Sequence, residues 1–234
     1  MSIINGIKLN KIDAVCFDMD GVIIDTEPLY AKGEIRLFRE YNVEIPDEDW
    51  VLFRGCNEET FYDLSMNRYG ITEKRQVFIE KGRKYVMAEF EKNLKFMKGF
   101  KDFHKSLNNF GIKTALVTAS PQKMFNFVDD KLGLTNLFDA IVSGGMTENN
   151  KPHPEPYLLA IEKLNASPEN TIVIEDSVHG INSGLASGAL VVGYRGSVPE
   201  SELEIAHLII NNHTELSVDR LLNILQKTNL SKSE

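Results

Sequence analysis

Cysteine is almost missing from this chain of 234 residues: only Cys16 and Cys56 occur. Two thiols cannot form the disulfide framework of a small secreted domain, so they read as unpaired thiols in a reducing compartment. The five histidines are scattered without metal-ligand spacing. Positive charge is short as well, with 26 basic against 34 acidic residues and a formal charge of -8. No basic stripe compensates, which argues against a nucleic-acid polymer as partner. It also means that an anionic substrate must be drawn in by local cations. No run is long and apolar enough to span a bilayer. Residues 1–11 lack the apolar middle of a signal peptide and are expected to be a short extended lead-in. These absences leave a cytoplasmic protein with no membrane partner, and a monomer, as the default expectation.

What is present suits a globular protein: 42% hydrophobic and 26% charged residues, in a length that allows one large domain or a domain carrying an insertion. Short apolar runs recur at 14–17, 114–118, 140–142, 171–174, 190–193 and 207–210. Each has the length of a strand, and none alternates cleanly, as expected for strands covered on both faces. Helical patterns separate them from residue 100 onward, at 100–110, 121–132, 154–164, 178–187 and 218–226. The first places Phe103, Leu107 and Phe110 on one face and ends at Gly111. Two begin with a proline, Pro121 and Pro154, suited to a first helical turn. Strand and helix in alternation predict an α/β fold, a doubly wound parallel sheet with helices on both faces.

One interval breaks this rhythm. Residues 27–96 carry helical patterns only, with Tyr30, Leu37, Phe38 and Tyr41 on one face of a first helix. Phe61 and Leu64 mark a second, and Phe78, Tyr85 and Val86 a third. Seventy residues exceed a plain crossover. The interval is expected to be an inserted helical cap that acts as a lid above the crevice. The division is then 1–26 with 97–234 as the core and 27–96 as the cap.

Chemistry-bearing residues gather at the ends of the strand-like runs. Asp18-Met19-Asp20-Gly21 follows the run 14–17, and the glycine allows a sharp turn. Thr118, with Ala119 and Ser120 next, ends the run 114–118 and precedes a helix, where free N–H groups can seat a phosphate. Lys151 stands in Lys-Pro-His-Pro-Glu-Pro, a stiff extended segment. Glu175-Asp176 follows the run 171–174. In a parallel sheet all these ends share one edge. Each feature alone has a plainer reading: a surface turn, a helix cap, a solvated lysine. Together they place four carboxylates and one ammonium side by side. Two like charges about 4 Å apart repel by roughly 4 kcal/mol at an effective dielectric near 20. Such a cluster calls for a cation, and hard oxygen donors favour Mg²⁺ over zinc.

Asp18-Met19-Asp20-Gly21-Val22, Thr118, Lys151-Pro-x-Pro and Glu175-Asp176-Ser177 resemble the four motifs of the haloacid dehalogenase superfamily, in the branch holding β-phosphoglucomutase and many small-metabolite phosphatases. The resemblance runs from about residue 11 to 192. It implies a Rossmann-like core, a helical cap after the first strand, and Mg²⁺. By position it makes Asp18 the nucleophile that takes up the phosphoryl group. Asp20 becomes the general acid and then the base. Mg²⁺ falls to Asp18, Asp176 and the Asp20 backbone carbonyl, with Glu175 near its water shell. Thr118, the Ala119 N–H and Lys151 become the phosphoryl-binding groups.

The resemblance implies hydrolysis of a small phosphorylated metabolite, such as a sugar phosphate, with a hexose-phosphate mutase as the alternative. A non-catalytic binding protein on this fold is a third reading, disfavoured because no motif acid is missing. Tyr30 stands where β-phosphoglucomutase has a cap histidine, and Glu58 where it has an arginine, so a second phosphate would be repelled. Two cap cations are candidates for substrate contact. Arg54 reads equally as a helix-terminal cation before a C-cap glycine. Lys81 reads also as a lysine whose stem lies along an apolar stripe.

Overall fold

The structure is a computed structural model and describes residues 3–4, 7–8, 11–53, 58–196 and 198–231. The chain divides into two compact units, Met1–Ile24 with Phe96–Glu234, and Asp25–Lys95. Six strands form the sheet of the first unit. They are β1 (Ala14–Phe17), β2 (Lys113–Pro121), β3 (Ala140–Gly144), β4 (Thr171–Glu175), β5 (Leu190–Tyr194) and β6 (Leu208–Ile210). Their spatial order is β3-β2-β1-β4-β5-β6, and every neighbouring pair is parallel. The strand order reverses beside β1, so the crevice of this doubly wound fold opens at the carboxyl ends of β1 and β4. Asp18 follows β1 directly and Glu175 is the last residue of β4.

Both sheet faces are covered, which explains the lack of alternation in the sequence. Ala14 and Cys16 of β1 point to one face, where Ala115, Val117, Val173 and Val191 meet Tyr157, Ala160, Ile161 and Ile181 of the helices Glu155–Lys163 and Val178–Ala186. Phe17 points to the other. There it meets Phe100, Phe103 and His104 of the helix Phe100–Asn109, and also Phe138 and His213. Every residue of β1 is fully buried.

The elements differ from expectation in five places. The second strand continues to Pro121, so Pro121 caps the helix Gln122–Leu132 rather than entering it, and Pro154 likewise caps Glu155–Lys163. Phe110 lies beyond the last helical residue, Asn109, and is two-thirds exposed. Leu64 is exposed too, because the helix Glu58–Tyr69 turns Phe61, Tyr62 and Ser65 inward. The lead-in contains two short strands, Ile3–Ile4 and Ile7–Lys8, paired antiparallel.

The inserted unit is helical, with Glu27–Glu40, Trp50–Phe53, Glu58–Tyr69 and Arg75–Asn93 as its α-helices. Leu37, Phe38, Phe61, Tyr62, Phe78 and Ile79 form its core. The first and last of these helices lie close because Gly33 faces Val86: a Cβ on Gly33 would come within 2.7 Å of the Val86 backbone. No helix among the described residues is long and apolar enough to cross a membrane.

Candidate active site

The backbone leaves β1 still tied to its neighbour, as the Asp18 N–H donates to the Ile174 carbonyl at 3.0 Å. It then folds back on itself. The N–H groups of Ile23 and Ile24 both donate to the Met19 carbonyl, and the Gly21 N–H donates to the Ile24 carbonyl. Gly21 takes φ +75°, and a Cβ there would stand 2.2 Å from Asp176 Oδ2. The glycine is therefore needed twice, for a left-handed backbone and for the approach of a carboxylate.

Thr118 and Ser120 reach the site through an irregularity in pairing. Between Val117↔Val142 and Pro121↔Gly144, β2 advances four residues while β3 advances two. The extra residues of β2 arch at the sheet edge, as a bulge re-aims side chains there. Gly144 makes room for the arch, since a Cβ on it would lie 2.7 Å from the Ala119 carbonyl oxygen and 2.8 Å from that of Ser120. Thr118 is buried, and its Oγ1 accepts from the Ser120 N–H at 2.9 Å, which leaves the hydroxyl hydrogen to point elsewhere. Ser120 Oγ donates to Asp20 Oδ2 at 2.9 Å. Ala119 is exposed on the arch.

Lys151 is nearly buried and is bound on all sides. Its ammonium donates to Asp18 Oδ1 at 2.5 Å, to Glu175 Oε1 at 2.7 Å and to the Val117 carbonyl at 2.9 Å. These use its three N–H donors. The ammonium also sits 5.0 Å from the centre of the Tyr157 ring. Burial works against its charge, but Asp18 and Glu175 outweigh it and hold the lysine pKa above its usual value. Burial pushes the Asp18 carboxyl well above the usual range, Lys151 opposes this, and Glu175, Asp176 and Asp20 add repulsion.

Glu175 is fully buried and its two oxygens are already filled. Oε1 accepts from Lys151 and from Tyr157 OH at 2.9 Å. Oε2 accepts from the Asp176 and Ser177 N–H groups and from Ser177 Oγ, at 3.0, 3.2 and 3.0 Å. Ser177 in turn caps the helix Val178–Ala186 through the Gly180 N–H. A Cβ on Gly180 would fall 1.8 Å from the Glu175 carboxyl. Glu175 thus holds Lys151 and the start of that helix in place. Tyr157 was not anticipated, since only the folding of the helix Glu155–Lys163 onto the sheet brings it to Glu175.

Carboxylate oxygens of Asp18, Glu175 and Asp176 lie within 4.8 Å of one another. All three are buried and all offer hard oxygen donors, and the space beside Asp176 exists only because residue 21 has no side chain. This donor set fits a divalent cation of the Mg²⁺ type. Glu175, engaged by five donors, is the carboxylate of this group least able to ligate directly.

Of the inserted unit's candidates, Arg54 lies outside the described residues. Lys81 is held within that unit, with its ammonium 3.0 Å from Tyr41 OH, 3.3 Å from Glu40 and 3.6 Å from Glu73. Glu58 accepts a two-pronged bond from Arg83, at 2.8 and 2.5 Å. Its charge is therefore paired, which weakens the expectation that it would repel a second phosphate. Tyr30 packs edge-on against Phe90.

Residues 15–194 match the family model described as haloacid dehalogenase-like hydrolase. The chain belongs to that family. Among these haloacid dehalogenase-like hydrolases, it is 32% identical over 177 residues to a phosphorylated carbohydrates phosphatase of Thermotoga maritima, covering 76% of this chain and 82% of that protein. Hexitol phosphatase B of Escherichia coli K12 is 28% identical over 221 residues, covering 91% and 97%. A solved structure of β-phosphoglucomutase from Clostridium difficile superposes with a TM-score of 0.73 at 25% identity, over 94% of this chain and 99% of that one.

Proposed function

We propose that this protein is a Mg²⁺-dependent phosphatase that hydrolyses a small phosphorylated metabolite, of the sugar-phosphate class, through a phosphoryl group carried on Asp18. The observation that carries the reading is the cluster at one sheet edge. Asp18, Lys151, Glu175 and Asp176 are gathered there, with Asp20 two residues beyond Asp18, and Thr118 follows the Val117 carbonyl that Lys151 binds. The two phosphatase relatives support the substrate class.

In the first step an Asp18 oxygen attacks phosphorus, the bond from phosphorus to the substrate oxygen breaks, and that oxygen takes a proton from Asp20. In the second step a water oxygen attacks phosphorus and gives its proton to Asp20. The bond to Asp18 breaks, inorganic phosphate departs and both acids are restored. Thr118 and the Ala119 N–H hold the phosphoryl oxygens, and Lys151 binds them as its bond to Asp18 Oδ1 gives way to the attack on phosphorus, where fixed positive charge and donors count most as negative charge spreads. Mg²⁺ held by Asp18, Asp176 and the Asp20 carbonyl supplies positive charge against the carboxylate repulsion and the incoming phosphate. Glu175 keeps Lys151 beside Asp18.

A hexose-phosphate mutase is the second reading, favoured by the β-phosphoglucomutase likeness and by the pairing of Glu58 with Arg83. The two differ only in whether water or a sugar hydroxyl attacks the phosphoryl group. A panel of phosphomonoesters with Mg²⁺, read by released phosphate, tests the first. A hexose phosphate with catalytic bisphosphate, read by isomerised product, tests the second. Isomerised product without phosphate release would replace hydrolysis with transfer.

A further inference from the structure

Ser120 sits on the arch of β2, and its Oγ–H reaches across 100 residues of sequence to Asp20 Oδ2 at 2.9 Å. The backbone from which it hangs is fixed on three sides. Its N–H is held by Thr118 Oγ1 at 2.9 Å, its carbonyl lies close against Gly144, and Pro121 after it resumes pairing with β3. Asp20 lies on a turn and is partly exposed, and two torsions set the direction of its carboxyl. An acid in that position needs a fixed direction to serve a single leaving atom.

We propose that Ser120 is the positioning residue for Asp20. Its hydroxyl donates to Oδ2 and fixes the carboxyl plane, and with it the direction in which Asp20 delivers the transferred proton. The inference rests on the phosphatase reading. As the bond from phosphorus to the substrate oxygen breaks, that oxygen takes the proton from the Asp20 carboxyl and its electron pair forms the new O–H bond. Asp20 is left as a carboxylate. Ser120 donates to Oδ2 before and after, and more strongly after, because the acceptor is then ionised.

The leaving group separates this role from a structural one or from a direct contact with substrate. A leaving alkoxide needs the proton, whereas a nitrophenolate departs with little help. Phosphoenzyme formation is measured by rapid quench with Mg²⁺ for p-nitrophenyl, phenyl and benzyl phosphates, in wild type, Ser120→Ala and Ser120→Thr. The alanine variant is expected to lose about tenfold more rate with benzyl than with p-nitrophenyl phosphate, a part of the usual general-acid contribution. KM should be unchanged, and the threonine variant, which restores a hydroxyl, should recover the benzyl rate to within about threefold. An equal loss across the series, a rise in KM alone, or no loss overturns the role of Ser120. A wild-type protein inert toward all three esters overturns the phosphatase reading instead.

Discussion

His213 is completely buried between Phe17, Phe100, Phe103 and Tyr194, and its Nε2 lies 2.8 Å from the Val22 carbonyl. A carbonyl only accepts, so Nε2 carries the ring N–H, and Nδ1 is a buried atom with no hydrogen-bond partner. A second proton would add both a charge and an unmatched donor. Burial accordingly pushes the His213 pKa down to about 4, although the Val22 bond pulls the other way. The ordinary value near 6.5 applies in the unfolded chain. As pH falls, the unfolded chain therefore takes up the proton first. The contribution is intact above pH 6.5 and is lost progressively toward pH 4. At 1.36 kcal/mol per pH unit, the fall from 6.5 to about 4 amounts to about 3 kcal/mol of stability. His104 on the same face is pushed in the same direction by burial, so wild type alone would not isolate the effect. His213→Gln would, because it keeps a donor for Val22 and does not titrate. Urea unfolding followed by far-ultraviolet circular dichroism from pH 7 to 4 is the assay. Trp50 lies in the other unit and would report that one instead. The variant should begin less stable at pH 7 and lose about 3 kcal/mol less than wild type on the way to pH 4. Two parallel curves would refute the reasoning.

Gly21→Ala forces a side chain into a φ of +75° and onto Asp176 Oδ2. It should raise the Mg²⁺ concentration for half-maximal activity about tenfold and cost about 1–2 kcal/mol of stability; an unaltered Mg²⁺ titration would remove Asp176 from the metal site. Lys151→Met leaves Asp18 and Glu175 buried without their shared cation. Urea unfolding should record a loss of about 3–5 kcal/mol, and a variant as stable as wild type would mean that the three groups are not charged together. In the inserted unit, burial, aided by Glu27, pushes Glu34 up to about 7. Its folded value lies above the unfolded one, so stability is full below about pH 4.5 and declines as pH climbs through 7. Glu34→Gln should be the more stable protein at pH 8, by on the order of 1 kcal/mol after allowing for partial exposure, and should lose that advantage at pH 4. Equal melting midpoints at pH 8 would contradict the shift.

Much of the sheet can be read from the chain, because a strand buried on both faces must be a short apolar run. The run 14–17 is β1 itself, and Thr171 and Leu190 open their strands where the apolar pattern starts. Site residues at strand ends share that legibility, since chain direction alone puts Asp18, Thr118 and Glu175 on one edge. What could not be read depends on pairing between distant segments. The arch that presents Ser120 exists only in the register of β2 against β3. Tyr157 is found at Glu175 only once its helix lies on the sheet. Likewise, no local pattern marks Arg83 as the partner of Glu58, 25 residues away, or Glu73 as a neighbour of Lys81. Those pairings change what the charges can do, and they belong to tertiary packing.

Trapping the phosphoryl group bears most directly on the proposed chemistry. The protein is mixed with p-nitrophenyl phosphate and Mg²⁺, quenched in acid within the first turnover, digested, and its peptides are weighed. The added phosphoryl mass is expected on the peptide that contains Asp18, and Asp18→Asn should lose both that label and turnover. A label on another residue, or an Asp18→Asn variant that turns over at close to the wild-type rate, would contradict it.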